Sequence, residues 1–185
     1  MRHLFAIAPL LLFVCGAPLA SAQNKVSIED QIKADIAKRT SIKVSPIQDA
    51  GLRTCFAFEA YDVTITQKEA GGESSSAAVY VKTKTGVQNL TKPSTNADVP
   101  EMLPLIQPGF KLKSQADGVA MLSAIKALYV PKDRLGDDTN PEIVQKGTTW
   151  NFIIGKFFQK FSGFVIVTDS AGKITKVSYS LEIQK

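Results

Sequence analysis

Apolar residues recur along this chain at two spacings, and the spacing divides it into segments. Ile28, Ile32 and Ile36 stand four apart behind Ser27-Ile28-Glu29-Asp30, a capping-box variant, which predicts an amphipathic helix. Two strand-like runs follow, Arg53 to Lys68 and Ser76 to Lys84. Between them Glu69-Ala70-Gly71-Gly72-Glu73-Ser74-Ser75 reads as a hairpin loop. A second helix is predicted behind Ser114-Gln115-Ala116-Asp117. Val119, Leu122, Ile125 and Tyr129 form its stripe, Met121 and Leu128 widen it, and Pro131 ends it. Asn140-Pro141 reads as the cap and first position of one short helical turn closed by Gly147. Three strands complete the pattern: Thr149 to Phe161, Gly163 to Thr168, and Lys173 to Ile183, with Asp169-Ser170-Ala171-Gly172 as the last turn. In the final strand Val177, Tyr179, Leu181 and Ile183 alternate with Lys176, Ser178, Ser180 and Glu182, so one face is buried and the other wet.

Proline separates the two halves. Pro93, Pro100, Pro104 and Pro108 fall within a stretch that proline's fixed φ and missing donor bar from a central strand or a long helix. The expected organisation is a leader over 1–22, a helix-plus-hairpin unit over 23–88, a Pro-rich linker over 89–109, and a helix plus three-stranded antiparallel unit over 110–185. This is an α+β chain of two helix-plus-meander units, their strands either separate or joined in one sheet. The layout, and only the layout, resembles cystatin-like folds.

The first 22 residues carry a separate message. Met1-Arg2-His3 is a short basic start, Leu4 to Val14 is an apolar run broken only by Pro9, and Ala20-Ser21-Ala22 offers a small-x-small cleavage site. The run is shorter than the about 20 apolar residues that span a bilayer. Cys15 follows Leu12, Phe13 and Val14, where a lipobox wants small residues. The expected product is periplasmic or secreted, with no membrane-spanning segment of its own.

Cleavage after Ala22 would remove His3, the one histidine, and Cys15, leaving Cys55 as the single thiol. Triads, Cys-His pairs and histidine metal sites all need an imidazole, so those chemistries are excluded from the processed chain. Losing Arg2 takes the 22 basic residues to 21 against 17 acidic, and the formal charge from +5 to +4. Most of the basic residues are scattered lysines. Nucleic-acid readers favour clustered arginine, so no nucleic-acid partner is expected. Cys55 lies in the apolar run Cys55-Phe56-Ala57-Phe58 and reads as a small buried hydrophobe.

The motif-level candidates are weak. Ser123-Ala124-Ile125-Lys126, Lys84-Thr85-Gly86 and Ser94-Thr95-Asn96 match the Ser-x-x-Lys, Lys-Thr-Gly and Ser-x-Asn patterns of penicillin-binding proteins. Their order along the chain is wrong and the chain is too short for that fold. Asp133, Asp137, Asp138 and Glu142 crowd one loop and are calcium candidates, but their spacing does not follow the EF-hand. Glu59 and Asp62 stand in an apolar strand region. They read as an ion pair with Arg53 or a lysine on a neighbouring strand, or as the carboxylates of a histidine-independent hydrolase.

The segment from Trp150 to Phe164 holds the only tryptophan and is apolar on both faces of a strand. It is either core between two layers or a recognition patch. Trp150, Phe152, Phe157, Phe158, Lys160 and Phe161 are the candidate partner contacts. The expected function is an exported, non-catalytic binding protein, an inhibitor or immunity-type protein acting on an extracytoplasmic protein partner. The alternatives are a carrier of a small apolar ligand or lipid, and the hydrolase. No pattern asks for a cofactor.

Overall fold

The computed structural model describes residues 27–36, 40–69, 71–130, 140–157 and 159–185. In chain order the elements are α1 (Ile28–Asp35), β1 (Thr40–Pro46), α2 (Ala50–Cys55), β2 (Glu59–Glu69), β3 (Gly72–Thr83), β4 (Gly86–Asn89) and β5 (Ala97–Asp98). After a 3-10 helix (Pro100–Leu105) come α3 (Gln115–Tyr129), β6 (Glu142–Lys146), β7 (Thr149–Phe157), β8 (Lys160–Thr168) and β9 (Ile174–Ile183). This is an α+β fold with antiparallel pairing throughout. The strands form two separate sheets, in the orders β1-β2-β3-β4 and β5-β9-β8-β7-β6, so the one-sheet alternative is replaced. Each sheet contains a four-strand meander preceded by a helix.

The helix starts form where the caps lie. Ser27 Oγ accepts the Asp30 N–H at 3.0 Å, and Ser114 and Asp117 close a full capping box. An eight-residue helix such as α1 is marginal by itself. It is held by packing: Ile32 is fully buried, with Ile28 and Ile36 beside it, against Val63 and Tyr80 of the four-stranded sheet. That covers one face of the sheet.

The structure departs from the sequence reading in several places, and it adds β1 and β4, which that reading does not contain. The run from Arg53 to Phe58, expected as strand, begins as α2. Asp49 caps it, Oδ1 accepting the Leu52 N–H at 2.9 Å, and the strand starts only at Glu59. The expected loop 69–75 is mostly strand, because Ser74, Ser75 and Ser76 pair with Gln67, Thr66 and Ile65. Within the Pro-rich linker 89–109, β5 pairs with β9, and Val99, Met102 and Leu105 are core residues. Asn140-Pro141 leads into β6 rather than a helical turn, and Gly147, at φ 60°, serves the tight β6–β7 turn. The first of the three closing strands ends at Phe157, short of Phe161, and Gln159 takes a positive φ of 66° before β8.

One core runs from the four-stranded sheet through α2, α3 and the 3-10 helix to the five-stranded sheet. Met121, Ala124, Ile125 and Leu128 are the buried stripe of α3. Val119, expected in that stripe, is 56% exposed. Two glycines set the closest approaches. A Cβ on Gly51 would lie 2.2 Å from the Ala120 carbonyl oxygen, and one on Gly163 would lie 1.9 Å from that of Phe152. Among the described residues no helix is long and apolar enough to cross a membrane.

Candidate functional site

The second face of α3 builds the candidate site. Val119, Leu122, Ser123, Lys126, Ala127 and Val130 follow the i, i+3, i+4 spacing of a helical stripe, beside the one that enters the core. This second stripe forms one wall of a groove of about 1020 Å³. The opposite wall is the part of the four-stranded sheet that α1 does not cover, including Asp62, Thr64, Ala77 and Val79. Asp62 and Val79 are cross-strand partners, as are Thr64 and Ala77, so each pair presents its side chains to the same side. Ile47, Asp49, Leu90 and Lys92 also line it. Ile47, Val79, Leu90, Leu122, Ala127 and Val130 are partly buried and pack on the core, so the groove floor is an extension of it.

Polar side chains make up nearly half of the lining, and several are engaged. Ser123 Oγ donates to Asp49 Oδ2 at 2.8 Å, while the other Asp49 oxygen caps α2. The Ser-x-x-Lys hydroxyl thus ties two helices together. Lys126 lies in the same groove, whereas Lys84 lines a different recess. Lys84-Thr85-Gly86 is turn chemistry: the Thr85 N–H donates to Thr83 Oγ1 at 3.2 Å, and Gly86 takes φ 137°. Asn96 Oδ1 accepts the Leu181 N–H at 2.7 Å, which accounts for the Ser-x-Asn match. The three matched patterns form no common site.

The aromatic segment is divided between core and surface. Trp150 and Phe152 are buried, Trp150 against Gly118 of α3, so neither is available to a partner. Their strand lies between β6 and β8 and turns that face inward onto α3. Phe161 is half-buried under the Lys185 ammonium, 4.3 Å from its ring centroid. Lys160 is exposed and pairs with Glu182. Phe158 and the side chain of Phe157 lie outside the described residues.

The calcium reading also finds no support in the part described. Glu142 pairs with Lys185, and Asp133, Asp137 and Asp138 lie outside the described residues. Among the described residues, no three His, Cys, Asp or Glu side chains gather as a metal site.

Glu59 is exposed. It accepts the Tyr61 hydroxyl at 2.5 Å and Lys82 Nζ at 3.4 Å, and Lys82 is its cross-strand partner. The Tyr61 hydrogen bond holds its carboxyl below the usual range against the opposing penalty of burial, and Lys82 adds to the lowering. Cys55 is fully buried, and burial pushes its thiol up to about 12, so it stays protonated and unreactive in the fold.

Sequence reasoning missed the groove residues Val79, Leu90, Lys92, Ala127 and Val130. The available signal was the width of the apolar stripe on α3, too broad for a helix covered on one side only. No protein-family model, curated protein or solved structure matches this chain.

Proposed function

We propose that this chain is a non-catalytic binding protein holding an elongated apolar or amphiphilic small molecule between α3 and the four-stranded sheet. The observation that carries this reading is the groove itself: its floor is apolar and continuous with the core, and polar side chains alternate with apolar ones along its walls. Its volume is at the upper end of the roughly 300–1,000 Å³ typical of small-molecule sites. Burial of an alkyl or aryl body against Val79, Leu90, Leu122, Ala127 and Val130 would supply the driving force. Lys92, Lys126, Asp62 and Thr64 offer polar contacts to a head group. The leader-like pattern of residues 1–22 supports an extracytoplasmic setting. Burial of Trp150 and Phe152 takes two of the six candidate contacts away from an inhibitor-type surface.

The test is titration of the protein with an anilinonaphthalene dye, followed by displacement with a long-chain fatty acid. Val119→Glu and Ala77→Glu place a carboxylate on each wall at exposed positions, so the fold is spared. Each variant is expected to bind about tenfold more weakly, equivalent to about 1.4 kcal/mol, with an unchanged melting temperature. Wild type without saturable binding, or both variants binding as wild type, would overturn the reading.

A further inference from the structure

A second recess lies beside α2, apart from the groove, with a volume of about 590 Å³ and open to solvent. Three cations from different parts of the chain line it: Arg53 in the last turn of α2, Lys82 on β3, and Lys84 in the β3–β4 turn. Phe56 and Phe58 also line it, their ring centroids 5.1 Å apart. The one carboxylate in the lining is Glu59, already engaged by Tyr61 and Lys82. Among the described residues no carboxylate pairs with Arg53 or Lys84. The recess therefore gathers positive charge that the chain does not neutralise, over an apolar floor.

We propose that this recess receives an acidic segment of a partner protein, a run of Asp or Glu that includes an apolar residue. Charge complementarity selects the acidic groups and steers the encounter. The half-buried Phe58 ring, backed by the buried Phe56, selects the apolar residue, a contact a bare inorganic anion would not use. Arginine beside aromatic rings is a typical interface anchor, since its planar fork grips a carboxylate while its face packs on apolar surface. The open mouth suits side chains presented by a larger body rather than a ligand that must be enclosed. This proposal is independent of the groove.

The probe is a fluorescently labelled peptide, Asp-Glu-Phe-Glu-Asp, read by anisotropy. Arg53→Ala and Lys84→Ala, both at exposed positions, are each expected to weaken binding about fivefold, the double variant more. Lys146→Ala, exposed on β6 in the other sheet, should change affinity by less than about twofold. Raising salt from about 50 to about 300 mM should weaken binding further. The proposal is overturned if the acidic peptide shows no saturable binding or if the Arg53 and Lys84 variants bind as wild type. It also fails if the Asn-Gln-Phe-Gln-Asn peptide binds equally well, or if inorganic phosphate or phosphatidylglycerol vesicles bind as tightly as the acidic peptide.

Discussion

Ser123 Oγ and Asp49 Oδ2 lie 2.8 Å apart, and this one hydrogen bond joins the groove wall of α3 to the N-cap of α2. The same carboxylate caps α2 through the Leu52 N–H. Asp49→Ala therefore removes a cap and a tether together. It should cost about 1–3 kcal/mol, and Ser123→Ala about 1 kcal/mol. Asp49→Asn keeps the capping oxygen and should recover most of the loss. A urea-denaturation cycle over Asp49→Ala and Ser123→Ala should show non-additivity, because the pair shares one contact. Strictly additive losses would mean that the tether contributes nothing.

Gly51 and Gly163 are expected to tolerate no side chain. The Cβ of Gly51→Ala would meet backbone of α3 at 2.2 Å, and that of Gly163→Ala would meet backbone of β7 at 1.9 Å. Backbone cannot swing aside as a side chain can. Each variant should lose about 3 kcal/mol or more, or fail to fold. Gly71→Ala is the control: nothing lies within 4 Å of its Cβ, and its thermal midpoint should hold or rise slightly. A Gly51→Ala protein melting with wild type would show that α2 and α3 can separate at no cost.

Alkaline pH should destabilise the protein through its buried thiol and phenols. Burial pushes Cys55 from 9.0 to about 12 and Tyr61 from 10.0 to about 12, and it raises Tyr80 and Tyr129 as well. These acids ionise in the unfolded chain at a pH where the fold still holds their protons. The unfolded state then binds fewer protons, so stability falls as pH rises. The loss should begin near 9 and continue towards 12, and Cys55→Ala should flatten its early part. Ellman's reagent should not react with Cys55 at neutral pH until urea unfolds the chain. Rapid labelling of the native protein would contradict the buried thiol.

Trp150 is a reporter of the core. At 1% exposure it should emit at short wavelength and resist quenching by iodide. Trp150→Ala should cost about 3–5 kcal/mol, the range for deleting a large buried aromatic. Trp150→Phe should cost markedly less. A red-shifted, readily quenched tryptophan in the native protein would overturn the packing of α3 on β7.

Elements governed by near neighbours were legible along the chain. Ser27 and Ser114 each stand three residues before an aspartate, and each caps a helix by bonds within one turn. The alternation of Val177 and Tyr179 with Lys176 and Ser178 shows which face of β9 is buried, because strand side chains alternate with period two. Asp169 marks the last turn by accepting the Ala171 and Lys173 N–H groups at 2.9 Å. The α+β class followed from these local signals.

Elsewhere local signals were silent or ambiguous. Ala50–Cys55 is too short for periodicity to separate helix from strand. Its conformation depends on Gly51 meeting Ala120, nearly seventy positions away. Ser74, Ser75 and Ser76 carry no apolar pattern, and only pairing with β2 makes them strand. The fate of Trp150 and Phe152 was undecidable in one dimension, since a strand apolar on both faces suits either core or interface until α3 covers it. The groove is the clearest case. It is the space between α3 and the β2–β3 pair, and it exists because α3 packs its Met121–Leu128 stripe into the core and leaves its Val119–Val130 stripe facing the sheet. Caps, turns and alternation are bonds between near neighbours, which a sequence contains. A groove is a distance between elements far apart in the chain, and only the packing of the folded molecule sets it.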